Sequence, residues 1–330
     1  MYAKFYGLAT RPFQLTPDAR FFFESSVHRQ AMAYMVYGLH HAEGFIIITG
    51  EVGAGKTILV DNLLATINAS TFVAAKIVTT QLGGDDLLHL VAAGFGIAKE
   101  GLTKGSLLQR INDFVLAQHR SGKRALLIVD EAQNLSFEAL EELRMLSNIV
   151  VDKTMALQSF LLGQPQFRTV LGSPGLEQLR QRVTAAYHLG PLNEAETKAY
   201  VEHRLRRAEW KGDPHFTEAS FPLIHQHTEG VPRRINTLCS RLLLYGFLEQ
   251  LHTLTASAVD KVANDLREEI AGVMAPPAGN TVGAPLDGGG EALTQITDRL
   301  RILEGSVSKH DRLIRRAIEI AAQYFQGERA

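Results

Sequence analysis

Apolar and polar positions change rhythm along this chain. From residue 45 to about 190, unbroken apolar runs alternate with stretches of helical period. Phe45-Ile46-Ile47-Ile48-Thr49, Phe72-Val73-Ala74-Ala75-Lys76-Ile77-Val78, Ala125-Leu126-Leu127-Ile128-Val129 and Leu157-Gln158-Ser159-Phe160-Leu161-Leu162-Gly163 read as strands, the third as a buried parallel one. Ala185-Ala186-Tyr187-His188-Leu189 reads as a weaker fifth. Residues 27–43 read as a helix with Ala31, Met35, Leu39 and Ala42 on one face. Further helices are expected over 85–95, 106–120 and 136–150, the last capped by Ser136 with Glu138 in its first turn. Strand and helix in alternation predict an α/β fold, a parallel sheet between two helical layers.

After Pro191-Leu192 the period is helical only, with helices expected over 194–210, 218–228, 232–250 and 256–270. Asn193 and Glu196 have the spacing of a capping box. Pro276-Pro277, Pro285 and Gly288-Gly289-Gly290 mark a linker over 272–291. Periodicity then returns: Leu293, Ile296, Leu300, Leu303, Val307, His310, Ile314, Ala317, Ala321 and Tyr324 keep three-four spacing. That is a coiled-coil seam of about four heptads, broken by a polar His and weakened by Gly305. A seam behind a flexible linker favours self-association or docking on a partner over folding back on the body. At the other end, Tyr6-Gly7-Leu8, Arg11-Pro12-Phe13, Thr16-Pro17-Asp18 and Phe21-Phe22-Phe23 mix turns with aromatics, as in an ordered arm packed on a domain. The partition expected is therefore 1–192 with its arm, 193–271 helical, 272–291 linker and 292–330 tail.

Composition sharpens this picture in three respects. A hydrophobic content of 45% supplies cores for about two domains and excludes global disorder. A net charge of −1 excludes polyanion binding by bulk charge, although a local basic face stays open. Cys239, the single cysteine, sits in a helical apolar pattern and fits a reducing compartment. Neither a leader pattern nor an apolar run of about 18 residues stands out, so the expectation is a cytoplasmic chain that reaches a membrane only through partners.

The chemistry concentrates at two strand ends. Gly50-Glu51-Val52-Gly53-Ala54-Gly55-Lys56-Thr57 lies between the first strand and a helix opening at Ile58. Glycines there let backbone N–H groups crowd phosphate oxygens, and the helix N-terminus adds partial positive charge. Lys56 is placed to reach the β- and γ-phosphates and Thr57 to hold Mg²⁺. The third strand ends on Asp130-Glu131, where open α/β sheets place ligands. Asp130 is expected to hold Mg²⁺ directly or through water, and Glu131 to act as base or orienter for an attacking water. His40-His41 and His225/His227 lack cysteine partners or the spacing of a helical zinc site.

Together, Gly50 to Thr57, Asp130-Glu131, Gln164 at the end of the fourth strand and Gly230-Val231-Pro232-Arg233 in the helical region resemble the AAA+ ATPases. The aromatic opening and Leu162-Gly163-Gln164-Pro165 are similar to the general secretion pathway protein A group, closest to its soluble relatives associated with exosortase and exopolysaccharide systems. The resemblance covers about residues 1–270. It implies a three-layer nucleotide-binding sheet followed by a helical lid, with ATP and Mg²⁺ as cofactors. Gln164 matches sensor 1, and Arg233 matches sensor 2, with Arg234 beside it. Arg180 and Arg182 match the arginine-finger region, with Arg182 slightly preferred, and a finger acts only in a ring or helical homo-oligomer. The arm and helix 27–43 resemble the part that packs on adenine. Secretion members anchored in a membrane carry a transmembrane helix and a peptidoglycan-binding domain where this chain has a linker and heptads. The function implied is ATP hydrolysis that drives or regulates assembly of an envelope secretion or exopolysaccharide-export system, with a protein partner docked through 292–330. Two other readings stay open: a DNA-binding ATPase of the transposition-helper type, using Lys198, Arg204, Arg206, Arg207 and Lys211, and a nucleotide-dependent scaffold with little turnover.

Overall fold

The computed structural model describes residues 1–274 other than 17, 42–43, 80–82, 99–100, 102 and 152–153. The expected tail and all but three residues of the expected linker lie outside the described residues.

The apolar runs become five strands: Phe45–Gly50 (β1), Phe72–Val78 (β2), Arg124–Asp130 (β3), Leu157–Gly163 (β4) and Val183–Leu189 (β5). All pair in parallel, in the spatial order β2-β3-β4-β1-β5. Every residue of β1 and β4 is buried, because helices cover both faces. Ile46 and Ile48 face a core built with helices Ser26–His41 (α1) and Lys56–Thr66 (α2). Phe45 and Ile47 face the opposite core, with Gly84–Gly94 (α3), Lys104–Arg120 (α4) and Phe137–Leu146 (α5). Register sets the working edge. Ile47 and Val129 both align with Leu161, so the ends of β1, β3 and β4 arrive together.

The helical domain comprises Glu194–Arg207 (α6), Ser220–Thr228 (α7), Pro232–Leu248 (α8) and Ala256–Met274 (α9) around its own core. Asn193 and Glu196 form the expected capping box on α6. The same Glu196 carboxylate accepts from the Ser26 N–H at 2.7 Å, so it caps α1 as well and ties the two domains. Cys239 is buried in the helical core.

Several expectations need correction. The helix expected over 136–150 stops at Leu146, and Val150–Val151 turns back on Thr154–Met155 as an antiparallel pair. The β-branched Ile149-Val150-Val151 prefers the extended form. The helical region is not helix alone, since His215–Phe216 pairs in parallel with Thr253–Leu254. Helix α9 continues through Met274, past the expected start of the linker. The arm, grouped above with the sheet, buries Tyr6, Leu8 and Phe13 in the core of the helical domain. Its Tyr6 hydroxyl donates to the Leu251 carbonyl at 3.0 Å.

Candidate functional site

The loop after β1 turns on Gly53 and Gly55, at φ 85° and 102°, which only glycine adopts without strain. Gly55 is the N-cap of α2, so the first N–H groups of that helix point out of the loop. Lys56 is buried, and its Nζ donates to the carbonyls of Gly50 (2.7 Å) and Glu51 (3.0 Å). Burial lowers its pKa, against the opposing charges of Glu131, Asp130 and Glu51. Thr57 Oγ1 donates to Asp130 Oδ2 at 2.8 Å. Asp130 Oδ1 accepts from the Glu131 N–H, and the Thr79 hydroxyl donates to the carbonyls of both carboxylate residues. The end of β3 is thus fixed from both sides. Thr57 and Asp130 are a hydroxyl and a carboxylate in contact at a helix start, oxygen donors of the kind Mg²⁺ takes.

Glu131 has a left-handed backbone, φ 58°. That turn brings Gln133 back against it. Gln133 Nε2 donates to Glu131 Oε2 at 2.6 Å, and its Oε1 accepts from the Gln164 N–H at 2.9 Å. Gln164 Nε2 reaches the same Glu131 oxygen at 3.3 Å. Gln133, unmarked in the sequence, therefore links Glu131 to Gln164. Its partners come from a turn geometry that no period encodes.

A cleft of about 320 Å³ lies between loop and helical domain, within the range of small-ligand pockets. Val52, Gly53, Gly55, Lys56, Thr57 and Ile58 line one side and Glu131 adjoins them. Ala54 is buried beneath the loop and Glu51 is exposed at its edge. Arg233, at the start of α8, lines the facing side, and its N–H donates to the Gly53 carbonyl at 3.2 Å. Arg234 points away and pairs with Glu229. Phe21, Phe22 and Phe23 of the arm line the cleft too, with His28 beside Gly55.

Two expected groups do not join this site within the chain. Arg182 Nη1 donates to Ser147 Oγ (3.0 Å) and its carbonyl (3.3 Å), and the Arg182 carbonyl pairs with Phe45, where β1 begins. Arg180 donates to the Leu171 and Ser173 carbonyls and meets Glu177. Both precede β5, at the sheet edge opposite the loop, so either could reach a nucleotide only across a subunit boundary. The expected basic face is also broken up: Arg204 is buried in the cleft, while Lys198 pairs with Glu218 and Arg206 with Glu202. Among the described residues no helix is long and apolar enough to cross a membrane.

Comparison with known proteins agrees with this geometry. Residues 39–171 match the AAA domain family. The chain is 37% identical over 267 residues to General secretion pathway protein A of Aeromonas hydrophila, covering 81% of this chain and 48% of that protein. It is 30% identical over 190 residues to the Mu-like prophage FluMu DNA transposition protein B of Haemophilus influenzae, covering 56% of this chain and 62% of that protein. The chain thus spans about half the length of the first relative and less than two thirds of the second. Among solved structures, the Aeropyrum pernix ORC2 protein in its ADPNP-ADP complexes aligns with a TM-score of 0.57 at 17% identity, over 78% of this chain and 71% of that one. Cdc6p from Pyrobaculum aerophilum aligns with a TM-score of 0.59 at 15% identity, over 80% and 74%. At such identities the likeness is one of fold.

Proposed function

We propose that this chain is an ATP hydrolase whose lid, the helical domain, moves with the state of the nucleotide, a reading supported by the match of residues 39–171 to the AAA domain family. The observation that carries the reading is the contact of Thr57 with Asp130 beside Glu131, which Gln133 and Gln164 hold, with Thr57 and Glu131 lining the cleft. The loop N–H groups and Lys56 would hold the phosphates; on binding, the Lys56 ammonium exchanges its two carbonyl partners for phosphate oxygens. Thr57 and Asp130 would hold Mg²⁺, which neutralises charge on the phosphate oxygens. Glu131 accepts the proton of the attacking water, and Gln164 orients that water or the γ-phosphate. Arg233 reaches the γ-phosphate from the lid, so loss of that group removes the contact that favours one lid position.

We assign a finger role to Arg182 or Arg180 of a neighbouring subunit in a ring or helix. The likeness to General secretion pathway protein A supports a role in assembling an envelope secretion or exopolysaccharide-export system, with residues 292–330 as the docking segment. A DNA-directed role draws on the likeness to the prophage transposition protein, against the engaged cations described above.

The test is ATP turnover per subunit against protein concentration, with Glu131→Gln and Arg182→Ala alongside and melting curves as folding controls. Turnover that rises with concentration and collapses by about 10²-fold or more in both folded variants is expected. Flat, low turnover indifferent to Arg182 would instead describe a monomeric nucleotide-dependent scaffold. DNA retention that falls steeply with salt would favour the transposition-type reading.

A further inference from the structure

The loop, Lys56 and Arg233 occupy the phosphate end of the cleft. At its other end, beside Phe21 and Phe23, three polar side chains of the helical domain line the wall while more than nine-tenths buried: Tyr200 (6% exposed), Arg204 (7%) and Asn236 (7%). Among the described residues Arg204 has no carboxylate partner. Its Nε donates to the Pro12 carbonyl at 2.6 Å and its Nη1 to the Tyr200 hydroxyl at 2.7 Å, and its guanidinium lies 5.0 Å from the Phe21 ring centroid.

These contacts have a forced direction. A guanidinium has donors only, so the Tyr200 oxygen accepts from Arg204. The one proton of Tyr200 then goes to Asn236 Oδ1, 2.9 Å away. With its oxygen turned to Tyr200, the Asn236 amide is left with Nδ2 and two N–H donors, which meet no acceptor among the described residues. Asn236 follows Arg233 by one turn of α8, on the same face, and both line the cleft. This end of the cleft therefore offers a ligand donors and aromatic faces.

We propose that Asn236, oriented by Tyr200 and Arg204, donates to N1 or N3 of the nucleotide base and selects adenine over guanine. Adenine has a bare N1 and N3. Guanine carries a proton on N1 and an amino group next to N3, which set donor against donor and leave both unpaired. The inference rests on the reading that the cleft binds a nucleoside triphosphate.

Equilibrium titrations of the full chain with fluorescent ATP and GTP analogues test it. The wild type prefers ATP by about tenfold or more, the scale of one unpaired buried donor. Asn236→Asp keeps an acceptor for Tyr200 and turns an acceptor to the cleft, so the preference narrows by about tenfold or reverses. Tyr200→Phe removes the group that orients the amide; it narrows the preference while ATP still binds, which separates orientation from folding. An ATP-to-GTP ratio unchanged in both variants would overturn the assignment of Asn236 while leaving the nucleotide reading intact. A wild type that binds neither triphosphate would overturn that reading itself.

Discussion

His28 is buried at the junction of α1 and the glycine-rich loop. Its Nδ1 lies 2.7 Å from Ser25 Oγ, and a Cβ placed on Gly55 would stand 2.7 Å from its Nε2. Desolvation is the main cause that lowers its pKa to about 4, partly offset by a hydrogen bond to the backbone of Ala54 and the charge of Glu196. The folded value lies below the unfolded one, about 6.5, so the neutral ring is what the native state stabilises. Above pH ~6.5 that contribution is fully present. Between ~6.5 and ~4 the unfolded chain takes up a proton that the folded chain refuses, and stability of roughly 3 kcal/mol is lost. Denaturant midpoints measured from pH 7 to 4.5 should fall in the wild type and fall less in His28→Gln; parallel slopes would contradict this account. The residues legible in the sequence were those whose chemistry is local, such as Lys56, Thr57 and Asp130 in runs of fixed spacing. His28, Gln133 and the Arg204–Tyr200–Asn236 chain were not legible. Each gains its partners from segments brought close only by the fold, and a lone polar residue in a helix carries no mark of what it will meet.

At the scale of elements, the inner strands β1, β3 and β4 are legible nearly to the residue because burial on both faces leaves unbroken apolar runs, while the edge strands β2 and β5 are partly exposed and keep weaker runs. The two-residue pairs at Val150–Val151 and His215–Phe216 were not read, since a period needs more than two positions to show. The sensor 2 resemblance of Arg233 implies an approach of α8 to the loop, but no pattern in the sequence marks their direct contact. It is tight: a Cβ on Gly53 would stand 2.2 Å from Arg233 Cβ, at a φ of +85°. Gly53→Ala must therefore push α8 away from the loop or distort the loop, with backbone strain of about 1–2 kcal/mol besides. ATP affinity should fall by about tenfold or more, in a variant that still folds with a melting temperature a few degrees lower. Wild-type affinity in this variant would show that α8 and loop need not touch for binding.

At the scale of the molecule, the N-terminal arm belongs to the core of the helical domain and leads from it to the sheet. Phe13, 1% exposed, sits with Tyr6 and Leu8 among α6, α8 and α9 side chains. Nothing in the sequence pairs Tyr6 with Leu251, and the partition by pattern alone left the arm with the sheet. Phe13→Ala should remove about 3–5 kcal/mol of stability, read from urea midpoints. It should also weaken nucleotide binding, because the Pro12 carbonyl holds Arg204. A variant with unchanged midpoint would place the arm outside the cooperative fold.

The chain crosses between the domains twice, once from Phe13 to Ser26 and once from Leu189 to Asn193. A rigid body on a single tether can swivel about any axis; on two it can only rock about the line joining them. If the helical domain moves as proposed, the second tether would turn it from a pendulum into a door, and a pull at Arg233 would have one direction in which to act.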